Sequence, residues 1–356
     1  MSMDQPVCLW HVGAELGEGP LWHAASESVY FVDIRGRQVH RCAPDGTRRQ
    51  SWDAPGRPGF IVPARVSTTP VVSAPRRPSA GTQARSVAIG GTENLGSRLR
   101  GNDGAGGNDG AGGNDGAGGN DEAGGDDGEG FIVGLDDGLY RFDQQTGQFS
   151  VLRHIEADQP DNRFNDGFVA ADGSLWFGSM DVGETNPTGS LYSLHPGGRL
   201  STVDRGYIIT NGPAMSPDGK TLYHTDTLGK RIYAFDLLPD GTATRMRLFI
   251  ATAGPGHPDG MAVDADGTIW VAMFRGARVD RYNADGELIG TLAFPVSNIT
   301  KLAFGGPDLR TAFVTTAWKG LNPDERAREP LAGALFTFRT DTPGLPQHTF
   351  SLQDIA

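Results

Sequence analysis

Four short motifs carry residue types that could do chemistry. Glu18 stands before "GPLW", Asn165 before "DGFVAA", Asn211 before "GPAMSP" and Asp259 before "GMAVDA". Two carboxylates and one or two amide oxygens are hard donors, and such a set suits a hard cation with positions left open for water and substrate. Asn-Asp-Gly and Pro-Asp-Gly are also ordinary turn sequences. What favours a site is phase: all four stand at the same point of a repeated pattern, and Glu18 is among them although glutamate is not a turn former. "SPDGK" from Ser216 and "DADG" from Asp264 lack that phase and read as turns only.

The elements that must bring these residues together form a repeat. Its units are "GPLWHAASESVYFVDIRGRQVHRC" from Gly19, "DGFVAADGSLWFGSM" with "GSLYSLHPGG" from Asp166, and "GPAMSPDGKTLYHTDTLGKRIYAFDLLPDG" from Gly212. "GMAVDADGTIWVAMFRGARVDRYNADGE" from Gly260 and "KLAFGGPDLRTAFVTTAW" with "GALFTFRT" from Lys301 continue it. Each unit reads as a short apolar strand, a tight Gly turn, an alternating aromatic strand, another turn and a third strand. A fourth strand follows, as in "RMRLFIA" or "LIGTLAF". A period of about 45 residues suits one four-stranded propeller blade. The second unit is split between "PGFIVPA" (Pro58 to Ala64) and "GFIVGLDDGLYRFDQQTGQFSVL" from Gly130.

Joining the halves gives six units, so the predicted fold is all-β, a six-bladed β-propeller made of residues 1–64 and 130–356. Residues 65–129 are read as a low-complexity disordered insertion in a hairpin of the second blade. They offer few large apolar side chains to offset roughly 1–2 kcal/mol of backbone entropy per residue. Lengthening a hairpin loop of about four residues by four doublings costs about 2.4 kcal/mol of closure entropy. A calcium solenoid would repeat every nine residues with an apolar core position, whereas "GNDGAG" repeats every six without one. In a propeller the entrances of the inner strands converge on one mouth of the central channel. The insertion, leaving after an inner strand, should therefore hang from the opposite face.

With 356 residues, 37% of them hydrophobic, the chain can bury a sizeable core. Its formal charge of −12 gives no basic face for nucleic acid. Residues 101–130 contribute −8 and residues 61–100 contribute +5, leaving −9 on the remainder. Cys8 and Cys42 form no metal-ligand spacing and suit a reducing compartment. The N-terminal "MSMDQPVCLWHVGAELGEGP" has no secretory pattern. No apolar run approaches the ~18 residues of a membrane span. These features lead to the expectation of a cytoplasmic protein with no nucleic-acid, membrane or obligate protein partner.

"LGEGPLW", "RFNDGFVAADGSLWFGSM", "TNGPAMSPDGKTLYHTDT" and "PDGMAVDADGTIWVA", in this order, resemble the senescence marker protein/gluconolactonase/luciferin-regenerating-enzyme family. "FGGPDLRTAFVTTAWKGL" and "PLAGALF" are similar to the bacterial sugar-acid lactonases, such as xylonolactonase and arabinonolactonase. The resemblance implies a six-bladed propeller with one divalent metal cation (calcium, zinc, manganese, magnesium or ferrous iron) held at Glu18, Asn211 and Asp259. It implies substrate contacts at Arg163 and Asn165 of "RFND" and at an acidic residue of "SMDVGET", Asp181 or, preferred here, Glu184.

The expected reaction is hydrolysis of a sugar lactone such as xylono-, arabinono- or glucono-lactone. A metal ion polarises the carbonyl and lowers the pKa of water from ~15.7 toward ~7, and Asp259 doubles as the proton acceptor. No G-x-S-x-G elbow is present to suggest a serine hydrolase. The competing readings are a non-catalytic metal- or ligand-binding propeller and an aryl-ester or phosphotriester hydrolase on the same scaffold. Among lesser candidates, His257 reads as a surface-loop residue and His224 as either channel-facing or structural. Trp22, Trp176 and Trp270 read as core, and "NIT" at Asn298 matches a glycosylation sequon without a secretory signal to give it force.

Overall fold

The computed structural model describes residues 5–65 and 129–351. These form six sheets, antiparallel but for one short parallel edge strand, arranged as the blades of a β-propeller. The inner strands are Gly17–His23, Phe60–Arg65, Asn162–Val169, Thr210–Met215, His257–Val263 and Asn298–Gly305, in blades 1 to 6. Each packs against the inner strands of the blades before and after it, and blade 6 closes on blade 1.

The sequence logic of a blade is clearest in blade 1. Its second strand, Ser28–Asp33, is buried along its whole length, as expected for a β-branched and aromatic run covered on both faces. Its fourth strand, Gln50–Asp53, is polar and mostly exposed, so the sheet ends at solvent. Between blades the aromatic side chains interdigitate. Tyr30 of blade 1 lies 4.4 Å from Phe131 of blade 2, and Phe60 of blade 2 lies 5.9 Å from Phe177 of blade 3, centroid to centroid. Trp22, Trp176 and Trp270 are buried, as expected of core residues.

The turns assigned from "SPDGK" and "DADG" are turns. Gly219 and Gly267 take positive φ of 70° and 83°, where glycine has no steric cost, and their amides donate to the carbonyls of Ser216 and Asp264.

Both ends of the described chain are used as strands, which the repeat did not anticipate. Val7–Trp10 pairs antiparallel with Leu335–Arg339 and becomes the outermost strand of blade 6. Phe350–Ser351 pairs in parallel with Ala64 and Arg65 on the channel edge of blade 2. The last blade is thus completed by the first strand of the chain, a closure that ties the ring together and is invisible to a search for local repeats.

Blade 2 spans the split foreseen from the sequence. Phe60–Arg65 pairs with Glu129–Gly134 in uninterrupted register from Phe60↔Gly134 to Arg65↔Glu129. The propeller strands therefore run one residue past each expected boundary. The residues read as a disordered insertion lie outside the described residues between these ends. Among the described residues no helix is long and apolar enough to cross a membrane.

Candidate functional site

Each chemistry-bearing residue lies inside an inner strand rather than before it, because the ladder continues past a local irregularity. In blade 1 the register shifts between Glu18 and Leu21, in blade 4 between Asn211 and Ala214, and in blade 5 between Pro258 and Met261. A bulge of this kind inserts one extra residue, bends the strand and re-aims the neighbouring side chain. In blade 3 the extra residue is Asn165, and in blade 6 it is Thr300.

Glycine makes the bulges possible. Gly19 and Gly212, which follow Glu18 and Asn211, have φ of +54° and +43°, and a Cβ at Gly212 would stand 2.8 Å from the Met261 amide nitrogen. Blade 1 is further held at its entrance by Asp33, whose carboxylate accepts from the amides of Glu15 and Leu16 at 2.9 and 3.0 Å.

The structure brings Glu18, Arg163, Asn165, Asn211 and Asp259 together at one end of the channel, all of them buried. Asn165 is the hub of the amides. Its Nδ2 donates to Asn211 Oδ1 at 2.8 Å and to the Thr210 carbonyl at 2.7 Å, and its Oδ1 accepts from the Arg163 guanidinium at 2.6 Å. Asn211 Nδ2 donates to Thr227 Oγ1 at 2.9 Å. Asn211 Oδ1, with one hydrogen-bond partner, keeps a second lone pair.

Two residues that sequence reasoning passed over complete the ring. Asp166 follows Asn165, the residue in phase with Asn211 and Asp259, and it is buried. Its place next to that position, directly before a glycine, was a readable signal. Asp166 accepts from the amides of Gly167 and Gly212 at 2.7 and 2.8 Å and from the Lys301 ammonium. Lys301, from blade 6, had no readable signal, since its role comes from a blade opposite Asp166 in the ring.

The electrostatics follow from this crowding. Burial, reinforced by the charge of Asp166, pushes the Glu18 carboxyl up to about 8 against the pull of Lys301 and the Gly19 amide. Burial, then the charges of Glu18 and Asp166, holds the Asp259 carboxyl well above the usual carboxylate range, with Lys319 opposing. Burial also brings Arg163 down to about 10, a value at which it stays charged at neutral pH.

Over the mouth, Lys319 of blade 6 forms an ion pair with Glu184 of blade 3. Glu184 is set in a turn at φ +56°, stabilised by Asp181, whose carboxylate accepts from the amides of Thr185 and Asn186 at 2.9 and 2.8 Å. Asp181 is thus engaged within its own loop, while the charge of Glu184 acts on Arg163. Lys319 is a further residue that the sequence did not single out.

The minor candidates resolve unevenly. His257 belongs to a strand and not to a surface loop, with Nδ1 3.3 Å from the Thr227 carbonyl. His224 is fully buried against the Tyr207 ring, with centroids 4.8 Å apart, and neither ring nitrogen has a hydrogen-bond partner. Asn298 is buried, so the sequon is inaccessible.

The donor set fits a hard divalent cation. Two buried carboxylates, Glu18 and Asp259, repel each other, and the amide oxygen of Asn211 in the neighbouring blade is fixed by Asn165. A cation there would relieve the repulsion that raises both acids. Among the described residues no group of three His, Cys, Asp or Glu side chains is placed to hold a metal ion. The far half of the channel is different: a mostly apolar cavity of about 390 Å³ reaches from Gly19 and Lys301 to the Ser216–Gly219 turn and Leu345–His348. None of Glu18, Asn211 and Asp259 lines it.

Known proteins resemble the chain in sequence and in fold. The chain is 34% identical over 225 residues to 6-deoxy-6-sulfogluconolactonase of Pseudomonas putida, covering 62% of this chain and 77% of that protein. It is 28% identical over 343 residues to L-arabinolactonase of Azospirillum brasilense, covering 94% and 92%. The crystal structure of a calcium-binding protein, regucalcin, from Agrobacterium tumefaciens superposes with a TM-score of 0.76 at 24% identity, over 98% of this chain and 97% of that one. The family model for the SMP-30/Gluconolactonase/LRE-like region matches residues 16–124 and 122–318. Those matches contain all four inner-strand motifs and the buried ring they build, and the chain belongs to the SMP-30/gluconolactonase/LRE-like family.

Proposed function

We propose that the protein hydrolyses the ring ester of a sugar-acid lactone at this mouth, with one divalent cation held by Glu18, Asn211 and Asp259. The observation that supports the reading is the buried pair Glu18 and Asp259, with Arg163 acting on Glu18 and Asn165 tying Arg163 to Asn211. Lactonases among its relatives support the class of reaction. A divalent cation supplies Lewis acidity toward the ester carbonyl and makes water more acidic.

The chain's own residues account for the rest. Asp259, whose basicity burial increases, accepts a proton from the attacking water as its oxygen bonds to the carbonyl carbon. The carbon–oxygen bond of the ring then breaks, and the proton passes to the released ring oxygen, giving the open hydroxy acid. Arg163, held by Asn165 and the Phe164 carbonyl, donates to substrate hydroxyls or to charge developing on oxygen. Glu184 and Lys319 present one acceptor and one donor to the sugar at the rim.

The test is hydrolysis of an aldonolactone panel by protein stripped with chelator and then reloaded with calcium, zinc, manganese or magnesium. Turnover that falls on stripping and returns with a divalent ion is expected. A folded protein that binds a cation but accelerates no lactone over its spontaneous hydrolysis would instead be a binding propeller.

A further inference from the structure

Two ion pairs cross the channel from blade 3 to blade 6. Glu184–Lys319 spans the mouth, and Asp166–Lys301 lies buried among the site residues. The inner pair touches the inner strands of four blades. Asp166 belongs to blade 3 and accepts from the Gly212 amide, next to Asn211, in blade 4. Lys301 comes from blade 6, and its stem lies on the backbone of Gly260, next to Asp259, in blade 5. A Cβ at Gly260 would stand 2.6 Å from Lys301 Cβ. Beyond Lys301 the channel is mostly apolar, and its ammonium is paired with Asp166.

We propose that Lys301 is a positioning residue that sets the cation affinity of the site: by holding Asp166 in an ion pair, it keeps a third carboxylate out of the donor set. The inference rests on the cation site proposed above. Asp166 is the residue after Asn165, the position in phase with Asn211 and Asp259, and its charge acts on both Glu18 and Asp259. Of its two oxygens, Oδ1 takes Gly167 and Lys301 and Oδ2 takes Gly212. With Lys301 present, the carboxylates of Glu18, Asp166 and Asp259 and this ammonium sum to two negative charges, matched to one divalent ion. Without it the sum is three, and a carboxylate is released toward the cation. Without Asp166, an unpaired ammonium faces Glu18 and repels the cation.

The charges therefore predict opposite signs for the two partners, which a purely structural pair would not give. Calorimetric titration of manganese ion into chelator-stripped protein reads this directly, on wild type, K301M, D166N and the double variant. K301M should bind manganese about tenfold or more tightly than wild type, and D166N about tenfold or more weakly. The double variant, having lost both charges, should return to within about threefold of wild type. If both single variants weaken binding, or K301M leaves it unchanged, the assignment is overturned. Should K301M fail to fold, D166N against the double variant carries the same test, since removing Lys301 must then restore affinity. Wild type that binds no divalent ion would overturn the cation site itself, and this inference with it.

Discussion

Blade 2 and blades 1, 4 and 5 are built from the same kind of strand, yet only the latter carry donors. Their inner ladders shift register beside Glu18, Asn211 and Asp259. The inner ladder of blade 2 runs without a shift from Phe60 to Arg65. At the ring position blade 2 has buried Pro58, followed by Gly59, whose Cα lies so close to the Phe164 carbonyl and Asn165 amide that no side chain fits. The bulged blades spend ladder regularity on aiming a side chain. Blade 2 keeps its ladder and supplies a flat wall against which Asn165 is seated. Regularity also leaves the far end of its hairpin free to carry extra chain, because Arg65 and Glu129 close the ladder by themselves.

Four outcomes would sharpen or break this contrast. The largest belongs to blade 5: D259N should lower kcat/KM by about 10³-fold or more with the circular dichroism spectrum unchanged. Near-normal turnover would remove Asp259 from the chemistry.

A second outcome concerns protons. Glu18 titrates at about 8 and Asp259 is also raised, so below that pH a cation must displace protons to bind. Cation affinity should rise by about tenfold per pH unit from pH 6 toward 8 and level off above. A flat profile in the same titration would show that the buried carboxyls do not hold the ion.

At the rim, K319A should raise KM about tenfold while leaving kcat within about threefold, since Lys319 is placed to meet the substrate away from the reacting carbon. An equal fall in kcat would move Lys319 into the chemistry.

Smallest is the change in blade 2. Joining Arg65 to Glu129 through a two-residue turn should leave lactonase activity within about twofold and raise stability by at most about 2.4 kcal/mol. A folded deletion variant with little activity would show that residues 66–128 serve the site.

Much of this was legible before any coordinates. The split of blade 2 showed because "PGFIVPA" and "GFIVGL" are each half of a unit that is intact elsewhere. Glu18, Asn211 and Asp259 stood out because each precedes glycine at one phase. Asn165 stands at that phase too, and it is the bulged residue of blade 3. Asp166, one residue on, was overlooked because it lies outside the phase. Lys301 and Lys319 could not be read at all. Their partners lie 135 residues away on the opposite side of the ring.

The sequence by itself determined the strand periods, the turn glycines, the number of blades and which residues could ligate, because these depend on side-chain type and on neighbours a few positions away. The tertiary structure alone decided that Val7–Trp10 completes blade 6, that the ladder slips beside the donors, and that two lysines of blade 6 cross to carboxylates of blade 3. Those outcomes depend on ring closure, which sets distances between residues that no local pattern relates.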